Sequence, residues 1–143
     1  EAVQVLQRVP CHMAYNVTLL DLSGAYKTVF VGPDRPAIVT DAPAATNHQQ
    51  TVEWSEHAVA TSSVEREAFL LDRLERQARS PRSFVAAFGR PPLYSPHFSR
   101  GFGTLYTAVY RPSDLSLELR WPGVTWPLSL AGFAHQTRRI EYR

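Results

Sequence analysis

The sequence is poor in several things, and each shortage excludes a class of protein. A single cysteine, Cys11, stands in 143 residues, so no internal disulfide can form and a disulfide-stapled scaffold is excluded. One cysteine is compatible with a reducing compartment, and a cytoplasmic location is the expectation. No apolar run approaches the roughly 20 residues that a membrane span needs, and no leader-peptide pattern opens the chain, so no membrane partner is expected. Basic residues are never gathered into a run. The formal charge is +2 and the pI near 9.0, with Arg138, Arg139 and Arg143 reading as a solvated end, so nucleic acid is not an expected partner. The five histidines (His12, His48, His57, His97, His135) contain no i, i+4 pair and no His-Glu-x-x-His pattern, which argues against a zinc site. A glycine-rich phosphate loop is missing too, and no cofactor is expected.

What the chain does have is enough apolar residue, 44% against 20% charged, to bury a core on the scale of one domain. Glu1 to Arg8 reads as the last two turns of an amphipathic helix with no cap before it, ended at Val9-Pro10. The expectation is that the chain starts inside an element, and that a preceding part belongs to the same fold. Met13 to Asp21 alternates as a strand, Ser23-Gly24 turns, and Tyr26 to Val31 returns as its hairpin partner. A third short strand, Ala37 to Thr40, follows the turn at Gly32-Pro33. After Asp41-Ala42-Pro43 the chain emerges at Ala44-Ala45-Thr46-Asn47-His48, and a polar link leads to Ser62-Ser63-Val64-Glu65, which has the form of a capping box. The helix it opens extends to about Ala78, with Val64, Ala68, Leu71 and Ala78 on its apolar stripe. Ser83 to Phe88 forms a further short helix. Arg90 to Gly103 is a loop rich in proline and aromatic residues, and Thr104 to Tyr110 and Ser116 to Trp121 form a final hairpin. The order is helix, three strands, two helices, two strands: an α+β fold with antiparallel sheets covered by helices.

Candidate chemistry lies at a few points. Thr46-Asn47-His48 is expected at the end of a strand, where a side-chain amide such as that of Asn47 is held rigidly and can donate to a developing oxyanion without bringing a charge; the alternative is an ordinary turn, since Thr and Asn bond their own backbone. Cys11 is a nucleophile candidate, yet His12 beside it would point to the opposite face of a strand, and a lone cysteine often serves as a small apolar side chain. Ser99 and Arg100 at the mouth of a strand can fix a carboxylate through the rigid guanidinium fork, or simply be solvated. Tyr94, Phe98, Trp121 and Trp126 are candidates for an apolar acyl pocket or for plain core.

Taken in order, Met13-Ala14, Gly32-Pro33, Thr46-Asn47-His48, the helix with Glu65-Arg66-Glu67-Ala68-Phe69-Leu70-Leu71, Pro91-Pro92-Leu93-Tyr94 and Ser99-Arg100-Gly101-Phe102-Gly103-Thr104-Leu105-Tyr106 carry a resemblance. The chain resembles the C-terminal part of the acyl-coenzyme A:6-aminopenicillanic acid acyltransferase family, also known as peptidase family C45. The resemblance implies an αββα N-terminal nucleophile hydrolase sandwich, of which residues 1–143 form the C-terminal portion. It also implies a precursor that cuts itself before a cysteine, whose thiol becomes the nucleophile and whose freed α-amine is the base. Cys11 does not match that cysteine, because Pro10 and not Gly precedes it, so the nucleophile is expected upstream. Asn47 matches the family's oxyanion-hole asparagine. Ser99 and Arg100 match a pair near the nucleophile once one residue is inserted before Thr104, and with Phe102 they are the candidates for substrate binding or nucleophile support.

The function expected is that of a self-processing cysteine amidohydrolase or acyltransferase acting on amide or thioester acyl groups, inactive as this chain alone. Its expected partners are the N-terminal part of the same precursor and a small acyl substrate, acyl-coenzyme A or an N-acyl amine. The alternative is a non-catalytic fragment or a ligand- or partner-binding α+β module.

Overall fold

The computed structural model describes residues 1–76 and 80–142, in two compact units, one spanning Glu1–Leu74 and the second running on from Glu75. The architecture is α+β, with small antiparallel sheets and several helices.

The first unit opens with helix α1 (Ala2–Arg8), which ends where Val9 turns extended ahead of Pro10. Strands β1 (Tyr15–Leu20), β2 (Tyr26–Val31) and β3 (Ile38–Thr40) form an antiparallel sheet in that order, with Tyr15 opposite Val31 and Val29 opposite Val39. The β1–β2 turn is built on Asp21, whose carboxylate accepts from the Ser23 amide (2.8 Å) and hydroxyl (2.6 Å), while Gly24 takes the left-handed conformation (φ 84°) the turn requires. Central strand β2 carries the core: Val29, Phe30 and Val31 are buried, each contributing roughly 1.5–3 kcal/mol of transfer free energy. Thr28 is buried beside them and donates to the Ala42 carbonyl at 3.0 Å, which satisfies its hydroxyl.

Two helices follow, α2 (Ser55–Ala60) and α3 (Ser63–Glu75). The polar link expected before α3 thus contains a helix, too short at six residues to show a period. The capping box is not formed. Ser62 sits at φ 50°, in the left-handed region, because it makes the tight turn from α2 into α3, and an N-cap needs extended backbone. The face of α3 also differs from expectation. Val64 and Leu71 are exposed, whereas Ser63 and Leu70 are buried with Arg66 and Glu67 half-buried between them. Ala78 lies outside the described residues.

The second unit contains α4 (Pro81–Ala87), capped by the Ser80 hydroxyl accepting from the Ser83 amide at 3.2 Å. The expected long loop carries a two-stranded ribbon, β4 (Pro96–His97) with β5 (Phe102–Gly103), joined by a turn of 3₁₀ helix over Phe98–Arg100. Gly101 closes that turn at φ 77°, and a Cβ on Gly103 would fall 1.9 Å from the Phe98 ring, so both glycines are needed for the ribbon to fold on itself. A meander of β6 (Thr107–Arg111), β7 (Ser116–Trp121) and β8 (Val124–Ser129) completes the unit. Thr104 belongs to the ribbon, paired with Ser95, so β6 starts later than the alternation suggests. Strand β8 extends past Trp126 despite Pro127. An edge strand tolerates a residue with no amide proton where the missing donor faces away from its neighbour.

Candidate functional site

The segment from Asp41 to Trp54 follows β3 without helix or strand of its own, so Asn47 sits on a loop and not on a strand end. What fixes this loop is a set of side-chain bonds from both sides. On one side, Asn16 of β1 uses both protons of its amide nitrogen, donating to the Thr46 carbonyl at 2.6 Å and the His48 carbonyl at 2.8 Å. The residues on either side of Asn47 are therefore pinned to the sheet through their carbonyls by one side chain. Two residues on, buried Gln49 donates to the Val31 carbonyl (2.9 Å) and the Tyr15 carbonyl (3.2 Å), at the end of the β1–β2 ladder, and accepts from Arg35. Arg35 also pairs with Glu53, and that contact is the main reason the Glu53 carboxyl is held below its ordinary value.

From the other side the loop is held by one face of α3. Ser63, Arg66 and Glu67 stand at i, i+3 and i+4, a spacing that stacks them along one stripe of a helix. Each takes hold of the loop. The Thr46 hydroxyl donates to the Ser63 carbonyl at 2.9 Å, the His48 Nε2 pairs with Glu67 Oε2 at 3.0 Å, and the His48 Nδ1 lies 2.7 Å from the Ser63 hydroxyl. A carboxylate only accepts, so Nε2 donates to Glu67, and Nδ1 on the far side of the ring is within hydrogen-bond distance of both the Ser63 hydroxyl and, at 3.2 Å, the Thr46 hydroxyl. The third residue, Arg66, donates from Nε to the Thr61 carbonyl at 2.9 Å and from Nη2 to Asn47 Oδ1.

Hydroxyl, imidazole and carboxylate in a row have the order of a catalytic relay. Ser63, however, is fully buried, so no substrate carbonyl reaches its oxygen, and the row works as an internal strut. Asn47 is different. It is exposed, it lines a cavity of about 810 Å³ together with Met13, Tyr15, Pro33 and Trp54, and its amide nitrogen makes no hydrogen bond among the described residues. An unengaged amide donor on a clamped loop beside an apolar cavity can bind an oxyanion or a carbonyl oxygen.

The other sequence candidates divide between the two units. Cys11 is half-buried at the approach to β1, and the neighbouring His12 is engaged with the Tyr15 hydroxyl at 3.1 Å. Ser99, Arg100 and Phe102 all lie on the β4–β5 ribbon of the second unit, exposed. Tyr94 and Trp121 share the lining of a cavity of about 410 Å³, Phe98 stacks on Tyr142 with ring centres 4.7 Å apart, and Trp126 donates to Gln136 at 3.1 Å. No group of three potential metal ligands occurs among the described residues, and none of their helices is long and apolar enough to cross a membrane. Asn16, Ser63 and Glu67 were not identifiable as parts of a site from the sequence. The signal that points to the last two is the polar stripe at i, i+3, i+4, which looks like a solvent-facing surface.

The model of a protein family described as acyl-coenzyme A:6-aminopenicillanic acid acyl-transferase matches residues 1–126. No curated protein and no solved structure matches the chain.

Proposed function

The chain belongs to the acyl-coenzyme A:6-aminopenicillanic acid acyl-transferase family, and on that premise we propose that it is the C-terminal portion of a self-processing cysteine-nucleophile amidohydrolase or acyltransferase of the C45 type. The observation that carries this reading is Asn47 at the cavity of about 810 Å³, its amide nitrogen without a hydrogen bond among the described residues while Thr46 and His48 on either side are held.

In this reading a cysteine outside residues 1–143 supplies the thiolate. Its sulfur attacks the carbonyl of an amide or thioester, a C–S bond forms, and the carbonyl oxygen takes up the negative charge. Asn47 Nδ2 donates to that oxygen. Donation to a charge that exists only after attack lowers the barrier more than it tightens substrate binding. Collapse of the intermediate expels the leaving amine, protonated on departure, or the leaving thiolate. An amine or water then takes the acyl group from sulfur. Met13, Tyr15, Pro33 and Trp54 offer an apolar wall for the acyl chain, and Ser99, Arg100 and Phe102 are the further residues proposed to support substrate or nucleophile.

Asn47→Ala in the full-length enzyme tests this. Loss of one such donor costs about 100- to 1,000-fold in turnover. The expected result is a drop of that size in kcat, with KM and melting temperature little changed. An unaltered kcat removes Asn47 from the mechanism and favours the cavity as a plain binding site.

A further inference from the structure

We infer that Arg66 is the positioning residue for Asn47, fixing which end of its side-chain amide faces the cavity; the inference rests on the oxyanion role proposed above. The two ends of an asparagine amide are nearly equal in size, so shape alone does not choose between them. Only one end can stabilise an oxyanion: the nitrogen donates, and the oxygen, turned the same way, would repel it. Arg66 decides the choice. A guanidinium carries five donors and no acceptor, so the amide must offer it oxygen, and the nitrogen is left on the opposite side.

The geometry is suited to holding that choice. Arg66 is itself tied to the Thr61 carbonyl through Nε at 2.9 Å, so its fork does not swing freely. It is half-buried, and burial lowers the pKa of its guanidinium below the ordinary value. The carbonyls of Thr46 and His48 are already taken by Asn16, so the residues on either side of Asn47 are held independently of Arg66. Without Arg66 the amide could present either end. Random orientation alone would lower turnover about twofold, and the looser donor geometry adds to that, with complete loss of the donor as the ceiling at about 100- to 1,000-fold. The expected loss is therefore about tenfold.

A double-mutant cycle in the full-length enzyme tests the assignment, with kcat and KM for p-nitrophenyl acetate hydrolysis as the readout and melting temperature measured alongside. Arg66→Met should lower kcat about tenfold in the native background with KM changed by less than about twofold, and by less than about twofold in the Asn47→Ala background. Arg66→Lys keeps a charged donor within reach of Asn47 but loses the fork that also holds Thr61. It should recover part of the loss, and it serves the same cycle if Arg66→Met does not fold. Equal losses in the two backgrounds would mean that Arg66 acts by a route other than Asn47, and would overturn the assignment, as would an unchanged kcat in Arg66→Met. Failure of the underlying reading looks different: Asn47→Ala alone would leave kcat intact, and the positioning role would fall with it.

Discussion

Replacing Asn16 removes the side chain that bonds the carbonyls of both neighbours of Asn47, Thr46 and His48. Its amide nitrogen makes two bonds to part-buried carbonyls, at 2.6 and 2.8 Å. At a net value of about 1 kcal/mol each, Asn16→Ala should destabilise the first unit by about 2 kcal/mol. Asn16→Asp is the sharper probe, because it keeps the shape and reverses the chemistry. A carboxylate has no proton to give and would face two carbonyl oxygens, so at pH 7 the cost should rise to about 3 kcal/mol. The same crowding disfavours the charged form and raises the introduced carboxyl's pKa above the ordinary value of about 3.9. The sign follows from that direction. A group whose folded pKa is raised binds more protons in the folded state, so the penalty is full above the raised value and shrinks as pH falls through it, where the protonated carboxyl regains one donated bond. Urea unfolding of both variants at pH 7 and pH 4, followed by hydrogen exchange at the β2 amides, measures the two quantities. An Asn16→Ala variant within about 0.5 kcal/mol of the native protein, or an Asn16→Asp deficit equal at both pH values, would refute the clamp.

Further consequences can be checked independently. Ser63→Ala removes the buried hydroxyl that bonds both His48 Nδ1 and Thr46 and should cost about 1–3 kcal/mol in chemical denaturation; loss of turnover at unchanged stability would instead make Ser63 a catalytic group. Glu118 accepts from Arg111 at 2.7 Å and Arg120 at 3.0 Å, and the Arg111 bond is the leading cause that holds its carboxyl below the ordinary 4.5. Glu118→Gln should therefore be less stable than the native protein by about 1 kcal/mol or less above pH 4.5, the gap closing as pH falls through the lowered value; a pH-independent gap in acid titrations would contradict this. Cys11→Ala should leave the turnover of the full-length enzyme within about twofold, since a thiol ahead of β1 is not the proposed nucleophile, and an inactive but folded variant would reverse that placement.

The strands were the most legible part of the fold. Tyr26–Val31, rich in β-branched and aromatic residues and buried over its last four, and Ser116–Trp121, the hairpin partner of the strand before it, fall where they were expected. Where the sequence misled, the reason was the identity of the neighbour. On α3 the apolar residues Val64 and Leu71 looked like the inward stripe, but the helix turns Ser63, Arg66 and Glu67 toward a polar loop, and those contacts outweigh the apolar period. Pro127 hid β8 in the same way, since its tolerance depends on edge position and not on the residue itself. Asn47 was visible as a candidate from its motif. Its setting was not: a loop without regular structure is fixed here by Asn16, Gln49 and α3, through bonds at sequence separations of 14 to 34 residues, which no local pattern encodes.

Intact-mass analysis of the full-length product, before and after reaction with p-nitrophenyl acetate, tests the central claim most directly. The expected result is a precursor split into two chains, with one acetyl group gained on a cysteine outside residues 1–143 and its accumulation slowed about 100-fold or more by Asn47→Ala. An unsplit chain that gains no acetyl group, or an adduct on Cys11, would contradict it.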